Sequence, residues 1–156
     1  MFVYAYGPAA TVATSATPLT EVDHLRMLSS TTRAMYIQAL YLTGRGAGLT
    51  AISGINARIY RYATASTAGT TVTPRPRDAG AQAMTGTIAT GPTVGTTATL
   101  QLSIGCGAAG PSGWIAPNPD SMILLNANGG ANGNADLESA SGTASLNFEY
   151  LVELQE

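Results

Sequence analysis

Thr143-Ala-Ser-Leu-Asn-Phe-Glu-Tyr-Leu-Val-Glu-Leu154 is the stretch that decides the fold. Every second residue from Ala144 is apolar: Ala144, Leu146, Phe148, Tyr150, Val152 and Leu154. Between them stand Thr143, Ser145, Asn147, Glu149, Leu151 and Glu153. Successive side chains of a strand point to opposite faces, so this spacing gives one apolar face and one mostly wet face. A helix would scatter the same residues around its circumference. The chain therefore closes on a long, half-buried strand.

Working outward, the same alternation recurs. Ile55, Ala57 and Ile59 share one face, with Asn56, Arg58, Tyr60 and Tyr62 on the other. Ala98, Leu100, Leu102 and Ile104 alternate with Thr97, Thr99, Gln101 and Ser103. Ala34 to Thr43 is apolar on both faces, which predicts a central strand covered on both sides. Shorter candidates are residues 19–28, Met84 to Thr90, Gly113 to Ala116 and Ser121 to Asn126. Gly, Pro, Asn and Thr clusters separate them, including the Asn/Gly loop Asn126 to Asp136. About eight strands with turn signals at this spacing predict an all-β fold, a single antiparallel β-sandwich of jelly-roll-like form. Residues 1–18 read as an extended N-terminal arm ahead of a sandwich domain spanning 19–156. In the arm, Phe2, Tyr4 and Tyr6 alternate at strand spacing, suited to pairing with a neighbour's sheet edge or to serving as an ordinary first strand.

A chain of 156 residues is one domain with room for a real core. Only 10% of residues are charged, against roughly 25% in an ordinary soluble domain. All seven basic residues are arginine, and the net charge is −2. That balance offers no field for a nucleic-acid backbone, and no nucleic-acid partner is expected. Scarce charge fits a surface partly covered by neighbouring subunits. No segment approaches the roughly 20 apolar residues of a membrane helix, so no membrane partner is expected either. The opening residues lack the positive n-region of a secretory signal.

Catalytic equipment is sparse. His24 is the sole histidine and Cys106 the sole cysteine. No second histidine exists to anchor a metal site, and only His24 could serve as the base of a Ser–His relay. Ser53-Gly54 and Ser112-Gly113 do not form a nucleophile elbow. Asp120, Asp136, Glu138, Glu149 and Glu153 could supply a carboxylate pair, but nothing fixes two of them around one bond. The Asn126–Asp136 loop has one carboxylate where calcium sites use several, and its Asn and Gly residues suit turns. Gly44-x-Gly46-x-Gly48 lacks the lysine and helix of a phosphate loop. No enzyme, cofactor or metal is expected. Arg75 and Arg77 stand on a rod stiffened by Pro74 and Pro76 and suit carboxylates of a partner subunit. Trp114 reads as a core or interface anchor. The candidate interface residues are therefore Phe2, Tyr4, Tyr6, Arg75, Arg77 and Trp114.

Arg58-Ile-Tyr-Arg61, the Thr-rich run to Pro74-Arg-Pro76, Gly113-Trp114-Ile-Ala-Pro117 and the closing Phe148-Glu149-Tyr150 follow an order that resembles small tailed-bacteriophage virion proteins. These are the β-sandwich head decoration, or cement, proteins and related minor capsid proteins, and the resemblance spans residues 30–156. It implies a non-enzymatic structural protein on the capsid surface of a virion, assembled in the host cytoplasm. The implied partners are the major capsid protein and further copies of itself, as a homotrimer. A tail- or fibre-associated sandwich that binds carbohydrate or another virion protein is the alternative.

Overall fold

The computed structural model describes residues 1–17, 19–45, 54–107, 111–128, 130, 132–142 and 146–156. In chain order the strands are β1 (Val3–Tyr6), β2 (Val12–Ala13), β3 (Val22–Leu28), β4 (Met35–Gly44), β5 (Gly54–Tyr62), β6 (Thr70–Val72), β7 (Arg75–Pro76), β8 (Thr87–Thr90), β9 (Ala98–Gly107), β10 (Pro111–Ile115), β11 (Ile123–Leu125), β12 (Asn134–Ser141) and β13 (Asn147–Gln155). Among the described residues one 3-10 turn, Pro119–Ser121, is capped by Asn118. The described strands thus exceed the eight expected. Several span two or three residues, too short for alternation to be read.

All strand pairings are antiparallel. One sheet runs β10-β4-β13-β1-β7, with β11 beside β4 and β2 beside β13. The other runs β6-β8-β3-β12-β5-β9. Their inner faces meet in one core, the arrangement of a β-sandwich. Strand β13 contributes Phe148, Tyr150, Val152 and Leu154, all buried, as its alternation requires. Burying each such side chain contributes about 1.5–3 kcal/mol. Thr143, Ala144 and Ser145 lie outside the described residues, as do Gly46, Gly48 and Ser53.

Three register shifts correct the reading of single strands. Strand β4 is central in its sheet, but one residue, Gln38, is skipped where Glu153 pairs with Ala39 and Leu154 with Ile37. Parity changes there, so Met35 and Ile37 face inward and so do Leu40 and Leu42. The apolar run comes from this change of phase, and the outer Tyr36, Tyr41 and Thr43 are only half-buried. A second shift, at His24, pairs Leu137 with Leu25 but Glu138 with Asp23. The third passes over Gln101, pairing Leu102 with Ile59 and Leu100 with Tyr60. Leu100 consequently leaves the face of Leu102 and Ile104 and stands 51% exposed.

The N-terminal segment is no free arm. Val3–Tyr6 pairs with β13 on one side and β7 on the other, and Tyr4 is buried in the core. Val12–Ala13 also pairs with β13. The loop expected up to Asp136 gives way at Asn134 to β12, every residue of which is buried. Among the described residues no helix is long and apolar enough to cross a membrane.

Candidate functional site

Five of the six residues singled out from sequence meet along one border, where β1 joins β7. The fixed φ of Pro74 and Pro76 holds the rod extended against β1. Tyr4 lies opposite Pro76 and Ala5 opposite Arg75. The Arg77 amide donates to the Val3 carbonyl at 2.8 Å. Phe2, half-buried, exchanges backbone hydrogen bonds with Glu156. The Tyr4 hydroxyl donates to the Gln82 carbonyl at 2.7 Å, and burial raises its pKa. Tyr6 is half-buried, its ring 6.4 Å from that of Tyr150 and tilted by 53°.

The two arginines differ. Arg77 is ion-paired to Glu153 on the outer face of β13. The Arg75 side chain is exposed and has no hydrogen bond or ion pair among the described residues. A shallow cleft beside it is lined by Ala5, Gly7, Pro8, Arg75, Arg77 and Glu149. Gly7 is needed there, because a Cβ would stand 2.7 Å from the Tyr150 carbonyl oxygen. Trp114 is separated from this group. It lies on β10, at the opposite border of the same sheet, half-buried and packed against the core.

The carboxylates sort into two sets. Glu149 and Glu153 carry arginine partners, Glu149 with Arg45 at 2.9 Å. Such exposed pairs contribute little, typically about 0.2–1 kcal/mol. Asp136 and Glu138 are different, being 0% and 3% exposed on the outward face of β12. One Asp136 oxygen accepts from the Ser66 hydroxyl at 2.7 Å, and the other has no partner among the described residues. Glu138 accepts from the Tyr62 hydroxyl and lies opposite Asp23 of β3. Arg26 reaches over to the Ser66 carbonyl at 2.9 Å.

Burial pushes the Asp136 carboxyl up to about 6 and the Glu138 carboxyl up to about 7. Burial likewise raises Asp23 and Tyr62. Sequence reasoning missed Asp23, Arg26, Tyr62 and Ser66 as members of this group. The available signal was the Asp-x-Glu spacing within an alternating run, which puts both acids on one strand face. Raised carboxyls can hold and exchange protons at neutral pH, but these two are sealed from solvent.

The remaining candidates are structural. His24 is buried, bonded through Nε2 to the Ser139 hydroxyl at 2.6 Å and edge-on to Phe148. Burial lowers its pKa to about 4. Cys106 is buried, and burial raises its thiol. Asn128 accepts from the Gly130 amide and Asn134 donates to the Gly130 carbonyl, which is turn chemistry. Asp120 lies exposed in the 3-10 turn. Among the described residues no three His, Cys, Asp or Glu are placed to hold a metal ion. No protein-family model and no curated protein matches this chain.

Proposed function

We propose that this is a non-enzymatic structural protein of a tailed-bacteriophage virion, which binds the capsid exterior beside the major capsid protein and stabilises the shell. The single observation that carries the reading is the β1–β7 border. A cation without a partner among the described residues, Arg75, stands on a proline-stiffened rod, beside a cleft, on a surface otherwise poor in charge. A guanidinium held this way pairs with a carboxylate of another protein at low entropic cost. The resemblance in strand and turn order supplies the identity of that other protein. The mechanism is mass action: a ligand of the assembled shell stabilises it by its binding free energy at each repeated site.

Co-sedimentation with purified capsids tests this. Saturable binding is expected, and Arg75→Glu should weaken it by about tenfold or more, the equivalent of ~1.4 kcal/mol. Absence of saturable binding by the unaltered chain overturns the reading. The tail or fibre alternative would rest on Trp114. A glycan-array signal that Trp114→Ala abolishes would put carbohydrate binding in place of the capsid role.

A further inference from the structure

From Ala79 to Pro119 the chain contains no Asp, Glu, Lys, Arg or His. This stretch builds β8, β9 and β10. Strand β9 ends its sheet and β10 lies along the border of the other, and the two are neighbours in space. Strands β9 and β10 thus put two uncharged strands side by side at one border of the sandwich, while β8 lies at the far end of its sheet beside β6. Val94, Leu100 and Ile115 protrude from the same stretch at 39%, 51% and 55% exposure.

We propose that β9 pairs antiparallel with β9 of a second copy of this chain, about a two-fold axis. Strand β9 is ten residues long, Ala-Thr-Leu-Gln-Leu-Ser-Ile-Gly-Cys-Gly, with no proline and no charge. It spans about 33 Å, and on the side away from β5 its backbone groups have no strand partner among the described residues. Unpaired edge amides and carbonyls are satisfied by another extended strand, which fixes the chemistry of the occupant.

The other borders show what a protected edge looks like. Strand β6 is three residues long, and β7 is two residues, flanked by Pro74 and bearing Arg75 and Pro76. A long open edge cannot be matched by either. Among the described strands the only terminal edge of comparable length is β9 itself, so the contact is self-complementary and isologous. A neutral strand also meets its own copy without like charges facing each other. This gives a two-fold pair in place of the three-fold ring that the resemblance implies, because a ring needs a second, different surface. The proposal is independent of capsid binding: a chain that pairs but ignores shells leaves it standing.

Sedimentation velocity over a hundredfold concentration range tests it, with hydrogen exchange resolved along the chain. A monomer–dimer equilibrium is expected, with β9 amides more protected at high concentration. Leu100→Lys, an exposed position, should weaken dimerisation by about tenfold or more, because a solvated charge on the open edge must be brought against the neutral strand of the other copy. Thr71→Lys, on the β6 edge, should leave it unchanged. Circular dichroism matching the unaltered chain shows that both variants fold. A monomer throughout the series, a trimer, or a dimer indifferent to Leu100→Lys overturns the proposal.

Discussion

At the scale of single residues, the molecule sets two opposed titrations on the two faces of one sheet, with His24 packed inward against Phe148 and Asp136 and Glu138 on the outward face of β12. Asp136 and Glu138 have folded pKa values of about 6 and about 7, above the ordinary 3.8 and 4.5. The folded state therefore keeps protons that the unfolded chain has released. Their contribution is fully present below about pH 4 and is lost as pH rises through 6 to 7. His24 works the other way, since burial lowers it from 6.5 to about 4. Its contribution is present above 6.5 and is lost as pH falls towards 4. The doubly substituted Asp136→Asn, Glu138→Gln chain should keep only the histidine trend. We expect it to be more stable than the unaltered chain at pH 8, by about 1–3 kcal/mol, and to lose stability steadily from pH 6.5 to pH 4. Chemical denaturation at several pH values measures both. Equal stability of the two chains at pH 8 would contradict the assignment of raised carboxyls.

At the scale of elements, the edge of the sandwich near β1 is held by one side chain. Glu156 accepts from the Thr85 amide and hydroxyl, each at 2.6 Å, and from the Gly86 amide at 2.8 Å. Gly86 leaves no room for a side chain, since a Cβ would lie 2.8 Å from the Leu28 carbonyl oxygen. Glu156→Ala strands two backbone donors near the start of β8 and should cost about 1–3 kcal/mol. Thermal unfolding checks this, and local exchange at residues 85–88 should rise. Elements also show what was legible beforehand. Strands β5 and β13 were readable because each keeps one phase from end to end with bulky residues inward. Strand β4 was found but its faces were misjudged, because Gln38 shifts the phase and makes an alternating strand look apolar throughout. Strand β12 was missed altogether. Its Asn134-Ala-Asp-Leu-Glu-Ser-Ala-Ser141 has only small or polar residues apart from Leu137, and burial of Asp136 and Glu138 depends on Ser66 and Tyr62, far away in sequence. The N-terminal aromatics were read with the right spacing, but the choice between a neighbour's edge and the chain's own was settled by β13, which offers an adjacent backbone.

At the scale of the whole molecule, charge is confined to particular places rather than spread over the surface. Arginine–carboxylate pairs dress the outer face of β13 and the Glu21–Arg58 corner, while the β9–β10 border has none among the described residues. The low charge content was legible from composition, but its segregation required the fold, which brings β9 and β10 to one side from separate sheets. Cys106 sits on β9 opposite Ile55, the only sulfhydryl in the chain and only 6% exposed. It makes the protein its own stopwatch. A chromogenic disulfide added in excess can react only in moments when β9 swings clear of β5, so the rate of colour development counts those openings. That rate should be orders of magnitude below that of the guanidinium-unfolded chain, and it should climb as mild denaturant is added. Immediate, complete colour in native buffer would mean that this strand is not seated as described.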